Sequence, residues 1–257
     1  RSTLSSSSAA SDVYKSQIIG GVLVMTNNFD DPQYWALTDG KPLSSQLMQD
    51  LTNWPSLTLL DGAINDAVTT ITVDSTADFP SAGQITIGSE EITYSGVTST
   101  TFTGCVRGAN GSAAASHSDN AEVTIDTKCK SLRAFRSFLI ALNITKDSVN
   151  FPRVVKWSTE SATQSLPTSW NETSSTVDAG EYELADTKGD ILDGLQLRDS
   201  FMIYKEDAVY SMTFVGTPFI FSFRQLSPTI GAISKNCVAE FDGGHAIFCK
   251  GNFYIND

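Results

Sequence analysis

Asp199–Val215 reads DSFMIYKEDAVYSMTFV: two apolar runs separated by the polar Lys205, Glu206 and Asp207. The same layout returns at Gly244–Asp257, GHAIFCKGNFYIND. The two segments align without a gap. Phe201 falls on His245 and Tyr210 on Tyr254, an offset of 44 residues (245 − 201 and 254 − 210). Two further copies stand upstream, RSFLIALN from Arg136 followed by FPRVVKWS from Phe151, and GGVLVMTN from Gly20 followed by PQYWAL from Pro32. Repeats of roughly 40–50 residues built from short strands and tight turns are the size of a β-propeller blade. The first run of each copy is apolar nearly throughout. That pattern predicts an inner strand covered on both faces.

Two surpluses interrupt the period. Phe138 to Phe201 is 63 residues, with about 19 extra in a polar segment that starts at Trp157. Val22 to Phe138 is 116 residues, and that surplus lies over about 59–126. There Ile71 and Val73, Ile85 and Ile87, and Ile92 and Tyr94 alternate with polar residues, which predicts half-buried strands. Glycines at 83, 88, 96, 104, 108 and 111 punctuate them as turns. The expected fold is therefore all-β, with β-propeller-type blades, a set that need not be complete in this chain, and a small inserted β-domain. The expected organisation is a flexible serine-rich lead-in over 1–16, a blade segment over 17–58, the insert over 59–126 and further blades over 127–257.

Composition narrows the function. Among 257 residues the net charge is −12, and charged residues make up only 18%. A chain that grips nucleic acid usually carries a basic patch. The one basic cluster, Lys128, Lys130, Arg133 and Arg136, reads as a solvated strand edge or turn. No run of 18 apolar residues exists, so no membrane span is expected, and no signal peptide opens the sequence. The sequons at Asn110, Asn143 and Asn171 read as chance without a secretory route. Cys105, Cys129, Cys237 and Cys249 show no metal-binding spacing and read as free thiols rather than disulfides. With only His117 and His245 beside them, a zinc site is not expected.

Residue types that carry chemistry in other proteins have structural roles to fill here. Glu90 and Glu91 are neighbours in a strand and point to opposite faces, so they cannot form a facing acid–base pair. Arg107 suits a carboxylate partner on the same small sheet, a contact of little worth if exposed. His117 lies in a polar loop, and GANG at Gly108–Gly111 is a turn rather than a phosphate loop. Asp190, Asp193, Asp199 and Asp207 read as turn openers. Lys205, Glu206 and Asp207 fit a hairpin turn. Trp35, Trp54, Trp157 and Trp170 fill cores or cap blades rather than stack on sugars. Tyr94, Phe102 and Phe79 are the aromatics of the insert. Neither histidine completes a serine–histidine–acid set. The chain reads as a non-enzyme, with no catalytic, cofactor or metal residues expected.

Several strings are specific together: VVKWST, LPTSW, LRDSFMIYKE from Leu197, FIFSF from Phe219 and TIGAIS from Thr229. Over about Lys130–Asp257, and more weakly at NNFDDPQYWAL and LTNWP, the chain resembles the β-propeller core of tail nozzle proteins (tail tubular protein B) of short-tailed bacteriophages. The resemblance implies a structural virion protein in a hexameric ring at the distal end of the tail. Such a ring would dock on a tail adaptor protein, contact tail fibre proteins and let viral DNA pass without specific binding. A host-receptor or glycan-binding tail module is the first alternative. A propeller glycosidase using Asp193 and Asp199 is the second.

Overall fold

The structure, a computed structural model, describes residues 15–35, 47–51, 54, 57–77, 79–163, 165–172 and 176–257. Most of the expected lead-in, Ala36 and Leu37 of the PQYWAL run, and Thr52, Asn53 and Pro55 of LTNWP lie outside the described residues. The described residues are all-β. Among them, twenty-two strands form six open antiparallel sheets, and a 3-10 turn lies at Ala109–Gly111.

Four of the sheets are meanders, in which neighbours in sequence are neighbours in space. The first comprises β1 (Lys15–Ile19), β2 (Val22–Thr26), β3 (Gln33–Trp35) and β4 (Gln49–Asp50). After it come the short strands of the insert: β5 (Leu57–Leu59), β6 (Thr70–Thr72), β7 (Gly83–Ile87), β8 (Glu90–Tyr94), β9 (Gly96–Val97), β10 (Thr101–Thr103) and β11 (Glu122–Thr124). The second meander is β12 (Thr127–Phe135), β13 (Phe138–Lys146), β14 (Val149–Trp157) and β15 (Gly180–Glu183). The third is β16 (Ile191–Leu197), β17 (Ser200–Lys205), β18 (Val209–Phe214) and β19 (Phe221–Ser227). The fourth is β20 (Val238–Phe241), β21 (Gly244–Cys249) and β22 (Asn252–Asn256).

Each repeat copy read from the sequence is the second and third strand of a meander. Each meander opens on a two-residue hairpin, closed by the pairs Ile19↔Val22, Phe135↔Phe138, Leu197↔Ser200 and Phe241↔Gly244. The first turn residue is left-handed in all four: Gly20 (φ 54°), Arg136 (52°), Arg198 (54°) and Asp242 (45°). A positive φ there twists the two strands into register. The offset of 44 holds at the level of pairing. Gln196↔Phe201↔Met212 becomes Glu240↔His245↔Asn256 (240 − 196, 245 − 201, 256 − 212).

One alignment read from the sequence is off by a residue. The hairpins place Phe138 opposite Ser200 in the repeat, an offset of 62 (200 − 138), not opposite Phe201. A one-residue slip exchanges the two faces of a strand. Phe138 and Phe201 accordingly come from facing sides of one seam and pack in the same core.

With this register the stacking is regular. Ile19 and Val24 of the first meander pack on the second; Phe135, Phe138, Ile140 and Leu142 of the second pack on the third; Leu197, Met202 and Tyr204 of the third pack on the fourth. We call these the front faces. The back faces answer them: Leu139 and Ala141, then Phe201 and Ile203, then His245 and Ile247. β13 and β17 are buried almost throughout, as expected of inner strands. β2 and β21 alternate instead, because among the described residues nothing covers one face of the first and of the last meander.

The insert has two sheets of its own, ordered β6-β10-β9 and β5-β11-β7-β8. Its core holds Ile71, Val73, Ile85, Ile87, Ile92, Tyr94 and Phe102, all below a tenth exposed, so the alternating pattern marked the buried face. β5 and β11 pair through Leu59↔Glu122, which brings the two ends of the insert side by side. The first of its strands starts at Leu57, two residues before the expected boundary.

Candidate functional site

The stretch richest in chemical groups folds into a closed knot. Glu90 opens β8 with its side chain turned inward, 1% exposed, while Glu91 faces the other way. Arg107 grips Glu90 through two N–H groups at 2.8 Å each. His117 donates Nε2–H to the same carboxylate at 2.8 Å, and the Gly108 and Ala115 backbone N–H groups add 3.0 and 3.1 Å bonds. Burial alone would raise the carboxyl. The Arg107, His117, Ala115 and Gly108 donors overcome it and hold the pKa at about 2. The remaining Arg107 donors reach the Asn65 and Ala115 carbonyls. All these groups are spent on one another, so the knot is a fastener for the long loop of the insert. The Arg107 contact is buried, not the weak exposed pair that the sequence left open.

The seams between meanders carry the polar groups that the sequence placed on turns and edges. Asp193 is not a turn aspartate. It is buried in β16, and its carboxylate accepts two bonds to Oδ1 and one to Oδ2 from Arg133, one from Ser131 Oγ (2.8 Å) and one from the Gly194 N–H (2.9 Å). Arg133 is correspondingly not a solvated edge residue. The β12–β16 contact buries it, because a charge inside a seam must be neutralised there. Lys128 stays at the surface on Asp126. Asp199 and Asp207 do lie in turns, and Asp207 accepts the Gly189 N–H.

Lys205 departs further from expectation. It ends β17 fully buried, with its ammonium donating to the Leu184 and Thr187 carbonyls at 2.8 and 2.9 Å. Burial pulls its pKa down. The third seam is tied by Tyr204, whose hydroxyl donates to His245 Nδ1 at 2.6 Å while His245 Nε2–H donates to the Gln196 carbonyl at 3.0 Å. Burial lowers the His245 pKa, which suits this neutral tautomer. Trp54, Trp157 and Trp170 fill cores; Trp54 and Trp170 meet edge to face at 4.7 Å. The four cysteines are free, and burial pushes the Cys129 thiol up to about 12.

A concavity lies between β15 and β19. It is a cleft of about 740 Å³ with Trp157, Tyr182, Phe219 and Phe223 as its aromatic wall and Asp178 and Glu181 among its acids. Tyr182 and Phe223 stack at 4.6 Å with 8° between planes, and Phe219 is 75% exposed. The cleft floor is rigid. Trp157 Nε1–H donates to the Asp178 carbonyl at 2.9 Å, and Gly180 lets the chain cross the Trp157 ring where a Cβ would come within 2.3 Å of it. Beneath lie Lys146 and Lys156, buried against Glu172 and Glu181. Burial opposes ionisation of Glu172, but the two ammonium groups hold its carboxyl at about 2; burial raises that of Glu181 despite the same lysines. Neither the cleft nor this cluster is visible in the sequence. The residues that build them lie up to 77 positions apart (223 − 146), and only the meander stack brings them together.

Among the described residues no group of histidine, cysteine and acidic side chains is placed to hold a metal ion, and no helix is long and apolar enough to cross a membrane. Comparison with protein-family models and with curated protein sequences finds no match to this chain.

Proposed function

We propose that the chain is a structural virion protein, a protomer of the distal tail tube or nozzle of a short-tailed phage, acting through assembly rather than catalysis. One observation carries the structural part of this reading. Meanders in a common register stack front face to back face, and the buried ions serve the seams. Such a stack is a wall-building device. The tail assignment is supported by the resemblance of Lys130–Asp257 to nozzle propellers. A ring of such walls would surround the exit channel, meet the adaptor on one side and present a platform to fibres. The acidic surface, net −12, suits passage of DNA without adhesion, since like charge repels the phosphates. Electron microscopy of intact virions tests the proposal. Density for this stack in a ring at the tail tip is expected; its absence from the tail would refute it.

A second reading has its own observation, the cleft between β15 and β19. Flat ring faces beside carboxylates suit a saccharide, whose C–H faces stack on rings and whose hydroxyls donate to acids. Binding of surface glycans that is lost in Phe219→Ala would support it. The glycosidase reading has less behind it, because the Asp193 carboxylate is taken up by Arg133, Ser131 and the Gly194 N–H.

A further inference from the structure

Four charged side chains meet in the interior of the second meander. Lys156 is fully buried, Lys146 and Glu172 are 4 and 8% exposed, and Glu181 is 22% exposed. Each ammonium lies within ion-pair reach of both carboxylates. Strand pairing fixes three of the four. Lys146 ends β13, Lys156 lies in β14, and Glu181 stands directly opposite Lys156 on β15. Glu172 comes from the connection between β14 and β15. Two residues before it, Trp170 is fully buried and meets Trp54 edge to face, which holds that connection against the sheet.

The arrangement supplies every part of an acyl transfer. Lys156 Nζ donates to Glu172 Oε2, so an amine and a carboxyl are held in contact where little water enters. Lys146 Nζ stands 3.5 Å from the other oxygen, Glu172 Oε1, where it neutralises negative charge that builds there. Glu181 Oε2 stands 3.7 Å from the Lys156 ammonium. Burial raises the Glu181 carboxyl, and the adjoining Glu172 raises it further. A readily protonated group beside both reactants is a proton carrier.

We propose that Lys156 and Glu172 condense into an intramolecular isopeptide bond, a modification that the chain performs on itself. Lys156 passes a proton to Glu172 Oε2, which frees the lone pair on Nζ. Nζ then bonds to Cδ, and the Cδ–Oε2 bond breaks. Glu181 takes the second proton from Nζ and delivers it to the departing oxygen, which leaves as water. One ammonium and one carboxylate are consumed, one neutral amide and one water are formed, and no other reactant enters. Fixed contact provides the rate that free amines and carboxylates lack in water. Burial favours the product, because a neutral amide costs less to hold inside than two ions. The Lys146–Glu181 pair, at 3.1 Å, stays behind with its charges balanced. Glu172 rests as a carboxylate between two ammonium groups, so the first proton transfer is uphill and the amide accumulates slowly after folding. The product ties the connection ahead of β15 to β14 across 16 residues and constrains the unfolded chain as any cross-link does. It stands on this cluster and not on the tail reading.

Mass spectrometry of the full chain tests the proposal. Freshly folded protein aged at neutral pH should become lighter by one water. Trypsin cuts the unmodified chain after Lys156; in the aged protein it should leave residues 154–188 in one piece, lighter by one water. Lys156→Arg keeps the charge and should keep the full mass. Glu181→Gln should slow the condensation about a hundredfold. Circular dichroism verifies that both variants fold. An aged wild-type chain of full mass overturns the proposal whatever the variants do. So does a loss of water that maps to another site or survives in Lys156→Arg. An unchanged rate in Glu181→Gln overturns the part given to Glu181.

Discussion

The Arg107 guanidinium and the Glu90 carboxylate lie side by side in the insert, joined by two 2.8 Å bonds at sites only 6% and 1% exposed. Their burial gives the pair a leverage that surface ion pairs lack. Glu90→Gln leaves Arg107 buried with half its partner, and a loss of about 3 kcal/mol in stability is expected by urea denaturation. The pH dependence follows the same pair. Glu90 titrates at about 2 in the fold against an ordinary value of 4.5. Its contribution is fully present above about pH 4.5 and is lost as the pH falls toward 2. Wild-type stability should therefore drop through that window more steeply than that of Glu90→Gln, and parallel acid profiles would refute the assignment.

Arg133 and Asp193 should behave as a unit. Arg133→Met or Asp193→Leu alone strands a buried partner, and each is expected to cost about 3–5 kcal/mol. The pair Arg133→Met with Asp193→Leu removes both charges and should recover much of the loss. A double-mutant cycle by chemical denaturation measures the coupling; additive losses would show that the two do not act together.

Gly194 marks how closely the second and third meanders approach. A Cβ there would stand 2.5 Å from the Phe201 ring and 3.0 Å from Leu142 Cδ1. Gly194→Ala is expected to destabilise by about 1–3 kcal/mol through overpacking. Adding Phe201→Leu should relieve part of it, which thermal melts of the single and double variants would reveal.

Lys205 ties the chain before β16 to the end of β17 through the Leu184 and Thr187 carbonyls. Lys205→Met keeps most of the volume but leaves both carbonyls without that donor, at a cost of about 2 kcal/mol. Hydrogen exchange should quicken across 184–190 before it does elsewhere. Uniform acceleration would mean that the lysine supports the whole fold rather than this loop.

The sequence revealed the fold better than it revealed the polar interior. The apolar runs around Phe201 and Ile247 and the alternation at Ile85 and Ile87 report which strand faces are covered, and covering is what hydrophobic patterning encodes. The slip between Phe138 and Phe201 was invisible in composition because both positions are phenylalanine in an apolar run. Only the hairpin turns fix the register. The sequence hides the burial of Arg133, Asp193 and Lys205 for a related reason. A charged residue in a strand looks exposed until its partner is known, and the partner of Arg133 lies 60 residues away. The Glu90 knot was nearer the surface of the text, since its three side chains sit within one short stretch, but their convergence depends on the path of the loop through Ala115.

The hydrogen bond from Thr26 Oγ1 to the Cys129 carbonyl spans 103 residues, because the insert separates the two strands it joins. The opening hairpin of each meander closes over two residues, and the insert has its own core. Loop-closure cost rises with the length enclosed, so the seam between the first two meanders is the slowest contact to gain by chance. During synthesis the insert emerges before β12 exists. Its prior collapse, with β5 beside β11, would shorten the gap that the first meander must bridge and make the module a folding spacer that sets the order in which the stack is built.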